Sequence, residues 1–492
     1  MDGTFRNTIT DTAINASLKV QALSQTNTPI RPFNISTFTL GDSGMNKRVW
    51  LQTRYLERIG LERRSPIDIQ FSKTERQITI SKSEIGKHRV SGRANGLPII
   101  DVKNKQVAET LGQNVEKITV RFYQNKIIIS VSAFDRNLAD RRAKKGNKAV
   151  EIFSGGGTLA KFSELAGFKM ATVVERDDNF IGVFENNFGD HVTTVCADVH
   201  DIEMEDLPKD ASLLQFGYPC TEYSPSNIVS ARKKKDANQS EEALEAKRTA
   251  NYLSLALVNI IRQVNPRVIL IEEVKAFQNS LPFDLLKFEL ERLKYKISIE
   301  EITGSFTERK RIAIVAVADK KPLDISNIAY QAPVPIEAHL DIPVAERHFQ
   351  PIALRPRESG ALRKGLGIRS VLPSDLKTGT FTCHWTRHTH QSLKHPTKEH
   401  HYSDFTVNEV RRIHGLPEDF DLGDKVTVAR AVLGQGVVDG FLDVLTRIYN
   451  LVCLGGGEPA PKEDVFGCVS QDQIDDSKDS QSMGEEQFAL HF

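Results

Sequence analysis

Cysteine is scarce in this sequence: there are five among 492 residues, widely spaced and without a Cys-x-x-Cys pair. That pattern argues against a disulfide framework or a zinc site and suits a reducing, cytoplasmic setting. A charge excess is missing too. With 65 Lys and Arg against 64 Asp and Glu the formal charge is +1, so affinity for a polyanion has to come from local basic patches rather than from the whole-molecule field. Long apolar runs are absent: stretches such as "IAIVAVA" (Ile312 to Ala318) are far short of a bilayer span, and the opening "MDGTFRNTIT" has no basic segment followed by an apolar one. What the chain does have is length, enough for about two to four domains and at least one large core.

Residues 1–45 are rich in Thr, Ser and Asn with little periodicity, the composition of a flexible arm. From there to residue 134 the pattern turns β-rich and repeats once: "YLERIGL…PIDIQF…RQITIS" is answered by "VAETLGQ…KITVRF…NKIIIS". In each copy a short helical segment ends at a glycine (Gly60, Gly112). A strand then alternates apolar and polar (Ile67, Ile69, Phe71; Ile118, Val120, Phe122), and a second strand follows. Residues 46–134 thus form a small duplicated domain. It resembles the swapped-hairpin barrels of bacterial transition-state regulators, fused as a pseudodimer. That resemblance implies DNA binding; a packing or dimerisation module is the other reading.

Residues 135–147, basic and polar, read as a linker, and an α/β pattern occupies 148–320. The runs "MATVVE", "HVTTVCAD", "SLLQFGYP", "RVILIEEV" and "RIAIVAVA", separated by helical segments, predict a parallel sheet covered on both faces. The clearest helix spans Glu241 to Val264, with Leu253, Leu257, Ile260, Ile261 and Val264 on one face and Pro266 as its stop. Residues 321–403 are irregular and rich in Pro and His, which suits an inserted recognition region better than a core. Residues 404–453 return to the α/β pattern, and 454–492 read as a disordered acidic tail.

The chemistry-bearing residues gather at predicted strand ends. "EIFSGGGTLAKF" is a strand turning through glycines into a helix, which lets a ligand approach backbone N–H groups. Carboxylates follow at the ends of the next two strands, Glu175 and Asp198, where ribose hydroxyls and an adenine amino group would be reached. "GYPC" puts Cys220 at the same edge, where thiolate could be favoured; a buried small hydrophobe is the plainer reading. "LIEEV" offers Glu272 and Glu273 on opposite faces, so one of them can face the cysteine. "TERKRIAIV" spaces Arg309 and Arg311 two apart, which on a strand puts both on one face.

Taken in order, "EIFSGGG", "VVERD", "ADV", "GYPCTEYS", "EEV", "TERKR", "FTVNEVRRIHGLPEDF" and "LGQGVVDGFLDVL" resemble the motif series of the DNA cytosine-5 methyltransferases. The resemblance implies a Rossmann-like α/β domain using S-adenosylmethionine, with residues 321–403 as target-recognition region and no metal. By motif position Phe153, Ser154, Gly155, Gly157, Pro219, Gln435 and Val437 line the cofactor, with Glu175 at the ribose and Asp198 at the adenine. Cys220 is the nucleophile, Glu272 the catalytic glutamate, and Arg309 and Arg311 hold the base. Ser224 and the basic run Arg232, Lys233, Lys234 and Lys235 would contact the DNA backbone. The implied partner is double-stranded DNA, flipped at the target base, with a separately encoded restriction endonuclease as companion and the chain itself a monomer. The tRNA branch of the family and a non-catalytic DNA-binding regulator are the alternatives. Departures fall at Thr221, Glu273, Thr307 and Gln435–Gly436, where the family usually has Gln, Asn, Gln and Asn-Ser.

Overall fold

The computed structural model describes residues 31–44, 46–92, 96–219, 241–352, 370–383, 385 and 391–455, with backbone alone over 241–250. The chain divides into two compact units between Ala139 and Asp140.

The first unit is the duplication. Its strands are β1 (Asn34–Thr39), β2 (Gly41–Ser43), β3 (Asn46–Gln52), β4 (Pro66–Ser72), β5 (Gln77–Lys82), β6 (His88–Arg89), β7 (Ile99–Asn104), β8 (Lys117–Phe122) and β9 (Lys126–Val131), with short helices Tyr55–Arg58 and Lys105–Leu111. They form one sheet of order β1-β8-β9-β5-β4-β6 and a second of order β2-β3-β7. The copies meet across β5 and β9, where Ile78 pairs with Ile129, Thr79 with Ile128 and Ile80 with Ile127. They meet again across β3 and β7, where Val49 pairs with Val102 and Trp50 with Asp101. Exchanging the copies maps each set of pairs onto itself, so the register records a pseudo-twofold axis. Coverage differs between the halves. Strand β8 has β1 beside it, and Ile118, Val120 and Phe122 are fully buried; β4 has only the two-residue β6, and Ile69 and Phe71 are half-buried.

Two expectations are corrected here. The arm of residues 1–45 includes β1 and β2, because β1 forms six ladder pairs with β8, and a ladder of backbone bonds needs no apolar alternation. The linker of 135–147 is largely helix, Ala133–Ala143. Ser132 starts it by accepting from the Asp135 N–H at 3.1 Å, no glycine or proline interrupts it, and the turn at Gly146 (φ 109°) follows.

The second unit is a seven-stranded sheet of β10 (Lys148–Ile152), β11 (Lys169–Glu175), β12 (Thr193–Cys196), β13 (Leu213–Gly217), β14 (Val268–Glu273), β15 (Lys296–Ile302) and β16 (Arg311–Val317), ordered β12-β11-β10-β13-β14-β16-β15. All neighbours are parallel except at β16, which runs against both β14 and β15. The expected all-parallel sheet fails there for a steric reason. Only residues 303–310 join β15 to β16, too short for the crossover a parallel pair needs. Helices Thr158–Leu165, Asp178–Phe188, Glu241–Val264, Leu281–Arg292 and Gly440–Cys453 belong to this unit. Leu257, Ile260, Ile261 and Val264 are buried as their spacing predicts, while Leu253 is half-buried. That helix ends at Asn265, φ 49°, ahead of Pro266.

Residues 321–403 contribute a small sheet of β17 (Gln350–Pro351), β18 (Ser370–Val371), β19 (Ser392–Lys394) and β20 (His401–Asp404), ordered β17-β20-β19-β18. They are more than an insertion lying outside the core: Ile336, Phe381, Trp385 and Leu393 are buried in the same cluster as Phe441 and Leu445. An ion pair fastens the region further. The buried Arg347 guanidinium donates to both Glu409 oxygens at 2.5 and 2.9 Å, to the Asp404 carbonyl and to Ser403 Oγ. The tail beyond residue 455 lies outside the described residues.

Candidate active site

Strand order reverses at β10, which lies between β11 and β13, so the carboxyl ends of β10 and β13 open the crevice where open α/β sheets hold ligands. The chain turns sharply there, with positive φ at Phe153 (58°), Gly155 (52°) and Gly157 (83°). Gly157 has a second constraint: a Cβ would lie 2.7 Å from a Phe184 ring carbon. It caps helix Thr158–Leu165 without a side-chain hydrogen bond, which leaves the first N–H groups of the helix for a ligand or water.

Glu175, at the end of β11, holds this turn. Its Oε2 accepts from the Gly155 N–H at 2.9 Å, and Oε1 from the Arg176 and Asp177 N–H groups at 2.8 and 3.0 Å. A carboxylate accepts at about four positions, so room for a hydroxyl remains. Cys196, at the end of β12, pairs with Glu175. Two residues later the half-buried Asp198 accepts from the His200 N–H through Oδ1 at 3.0 Å. Ser154 is buried and donates its N–H to the Val174 carbonyl at 3.2 Å. The Phe153 ring meets Tyr218 edge-on at 6.3 Å between centroids, and half-buried Pro219 follows Tyr218 at the tip of β13. From the far end of the chain, Val437 donates its N–H to Thr158 Oγ1 at 3.2 Å, beside exposed Gln435.

This last contact accounts for one departure. A Cβ on Gly436 would lie 2.9 Å from a Thr158 side-chain carbon, so glycine at 436 leaves room for Thr158, whose hydroxyl takes the Val437 N–H. The donor set, with carboxylates at two successive strand ends, an open helix N-terminus and an aromatic ring, fits an adenosine-bearing cofactor.

The acid end lies one strand further along. Gly217 of β13 pairs with Glu272 of β14, and a Cβ on Gly217 would sit 3.0 Å from Glu272 Oε2. Glycine therefore leaves the space the carboxyl occupies, three residues before Cys220. Glu272 forms an ion pair with Arg311 Nε at 2.8 Å. Burial raises its carboxyl above the ordinary value, and Arg311 and Arg309 offset only part of that rise. Glu273 is pushed well above the usual range, by burial first and by the neighbouring Glu272 second, and its Oε2 accepts from the Val274 N–H at 2.6 Å. A neutral acid carries one donor and spare acceptor capacity, which matches what the family's asparagine amide offers at this position.

The two arginines part company. Arg311 begins β16 and faces Glu272. Arg309 precedes that strand, so the two-residue rule that put both on one face does not apply. Its buried guanidinium donates to the Phe381 and Gly434 carbonyls, each at 3.0 Å. Thr307 supports the same strap: its hydroxyl donates to the Gly379 carbonyl at 2.9 Å and accepts from the Arg309 N–H at 3.3 Å. Sequence spacing missed this bracing. Its partners lie 72 and 125 residues away, and no local signal marks them. Cys220, Thr221, Ser224, Arg232, Lys233, Lys234 and Lys235 lie outside the described residues.

A family model described as C-5 cytosine-specific DNA methylase matches residues 147–347. The chain is similar to the Type II methyltransferase M.NgoBI of Neisseria gonorrhoeae, 23% identical over 332 residues, covering 62% of this chain and 93% of that protein. It is also similar to M.FnuDI of Fusobacterium nucleatum, 25% identical over 194 residues, covering 38% of this chain and 51% of that protein. Among solved structures it overlaps the Entamoeba histolytica methyltransferase EhMeth at 19% identity and TM-score 0.47, covering 63% of this chain and 98% of that one. It overlaps S. pombe Dnmt2 at 18% identity and the same TM-score, covering 62% and 98%. With the family model on residues 147–347 and the ordered motifs at the sheet's carboxyl edge, this part of the chain carries a C-5 cytosine-specific DNA methylase domain.

Proposed function

We propose that Cys220, as thiolate, adds to carbon 6 of a cytosine flipped out of duplex DNA, with Glu272 in its protonated form at ring nitrogen 3. The observation that carries this is the buried, raised-pKa Glu272 held by Arg311, across the ladder from the strand that leads into Cys220. Ring carbon 5 is too weak a nucleophile to take a methyl group unaided. Addition at carbon 6 gives carbon 5 enamine character, and a proton held at nitrogen 3 stabilises the charge that develops. S-adenosylmethionine, when bound, supplies the electrophilic methyl group. Phe153, Ser154, Gly155 and Gly157, with Glu175, Asp198, Pro219, Gln435 and Val437, would hold it. Loss of the carbon-5 proton and departure of Cys220 restore the ring. Arg311 orients Glu272 and the base, and Arg309 acts as a positioning residue behind it. Ser224 and Arg232 to Lys235 would close on the phosphates.

The same reading takes residues 321–403 as the sequence-reading region, the chain as a monomer in the cytoplasm, and a separately encoded restriction endonuclease as companion. Cys196, Cys383 and Cys453 are free thiols, and no helix among the described residues is long and apolar enough to cross a membrane. The test is nucleoside mass spectrometry of DNA and tRNA after incubation with S-adenosylmethionine. The expected product is 5-methylcytosine in DNA with the wild type and none with Cys220→Ala, which should still bind DNA. Product from Cys220→Ala, or product in tRNA alone, would overturn the proposal.

A further inference from the structure

The near-zero net charge conceals a division. Residues 31–131 hold eighteen Lys and Arg against nine Asp and Glu, whereas the rest of the chain holds 47 against 55. Three of these nine acids are already paired: Asp42 with Lys47, Asp101 with Arg48, and Glu109 with both Lys73 and Lys105. Five of the remaining basic residues, Arg63, Arg64, Lys82, Lys87 and Arg89, lie at one edge of the six-stranded sheet. Lys82 of β5 and His88 of β6 both pair with Ile67 of β4, from either side, and Arg89 pairs with Pro66. The loop before β4 joins them, since Arg64 donates its N–H to the Val90 carbonyl at 2.9 Å and accepts from Arg89 Nη1 at 3.2 Å.

Arg63, Arg64, Lys82, Lys87, His88 and Arg89 are all exposed. Among the described residues none of them has an acidic partner within ion-pair distance; Glu62, Asp68 and Glu84 lie in the same stretch and offset part of the charge. Ile85, between Lys82 and Lys87 in the sequence, is 93% exposed. Charged groups also guard a sheet edge against strand addition. Lys87 and Arg89 would do that alone, and Arg63, Arg64 and Lys82 lie off the edge strand. Nor does the fold require the cluster. In the second copy, the loop between the helix and β8 reads Gln113, Asn114, Val115, Glu116 in place of Glu62, Arg63, Arg64, Ser65.

We propose that this edge of the N-terminal unit is a second contact with duplex DNA, one that holds backbone phosphates and does not read bases. The partner follows from charge: a surface of uncompensated Arg and Lys suits a polyanion, and the catalytic unit works on one. Such a surface works through counterion release, so its signature is the salt dependence of binding.

The test uses the full chain carrying Arg63→Gln, Lys82→Gln, Lys87→Gln and Arg89→Gln, titrated onto a fluorescent random-sequence duplex across a range of salt. The expected slope of log affinity against log salt is shallower than wild type by about 0.9 for each phosphate no longer neutralised, about 3 to 4 in all. A control with Lys103→Gln, Lys105→Gln, Lys117→Gln and Lys126→Gln lowers the net charge equally and should keep most of the slope. Single-turnover methyl transfer at saturating DNA should be unchanged in both. If the fourfold variant misfolds by circular dichroism, the single exposed changes Arg63→Gln and Lys87→Gln should each flatten the slope by about 0.9. An unchanged slope, or an equal flattening in the control, would overturn the proposal. So would a slope change seen with tRNA and not with duplex.

Discussion

Replacing Arg309 by Met separates bracing from chemistry. The guanidinium makes two hydrogen bonds, to Phe381 O and Gly434 O, both at 3.0 Å and both buried. Bonds from a charged donor contribute about 1.5–3 kcal/mol each, so the loss is about 3–6 kcal/mol. Relief of the arginine's own desolvation trims this to about 2–4 kcal/mol. The assay is urea unfolding followed on the catalytic unit, with the pH profile of single-turnover methyl transfer measured alongside. Arg309 also lowers the Glu272 pKa through space. Its removal raises that pKa further, so the alkaline limb of the profile, set by loss of the Glu272 proton, moves to higher pH. Arg311→Met, which breaks the 2.8 Å pair with Glu272, should cost a rate factor on the order of 10²–10³. If Arg309→Met left the urea midpoint unchanged and lost rate as Arg311→Met does, both arginines would belong to the reacting group and the bracing role would be wrong.

Burial pushes Glu151 in β10 up to about 8, against about 4.3 for an unfolded glutamate, while Gln215 Nε2 donates to it at 3.1 Å. The native state then holds a proton that the unfolded chain has lost. Its stabilising effect is full below the unfolded pKa and falls by about 1.4 kcal/mol per pH unit up to the folded value. Glu151→Gln keeps the acceptor and should gain stability over wild type progressively from pH ~5 to ~8; parallel stability curves across that range would contradict it. Glu273→Asn should leave single-turnover rates within about threefold of wild type, because burial and the neighbouring Glu272 both favour the neutral form of the acid it replaces; a loss on the order of 10²-fold would make Glu273 a participant. Glu409→Gln breaks the buried pair with Arg347 and should cost about 3–5 kcal/mol, with part recovered in Arg347→Met/Glu409→Leu, and urea melts of the two variants beside wild type decide this. Gly157→Ala, forced into Phe184 at 2.7 Å and held at φ 83°, should weaken S-adenosylmethionine binding more than tenfold by calorimetry while DNA affinity holds.

The strands of the catalytic sheet were legible wherever burial on both faces leaves a continuous apolar run, as in β13, β14 and β16. Strand β15 was missed. It is the edge strand, its face is only partly covered, and "KISIEEI" mixes three charges with its isoleucines. Strand direction was not legible either, because burial writes the same pattern whichever way a strand runs; only the short connection 303–310 fixes β16 as antiparallel. The cofactor edge could be read because its residues sit at strand ends within short motifs. The interactions that complete it could not, since Thr158 meets Val437 across 279 residues. Residues 321–403 were underrated as core for a related reason. Phe381, Trp385 and Leu393 are buried by distant partners, and no regular period marks them.

The fused duplicate also bears on direction. Two identical chains related by a true twofold must show the same surface on both halves, and a DNA backbone is itself twofold, so such a pair sits equally well facing either way along a duplex. Joining the copies in one chain lifts that constraint while the ladder between β5 and β9 keeps the shared framework. One half could then acquire Arg63 and Arg64 while the other kept Asn114 and Val115. With the phosphate contact proposed above, the result would be a module with a head and a tail, able to give a single chain one orientation on a strand of DNA.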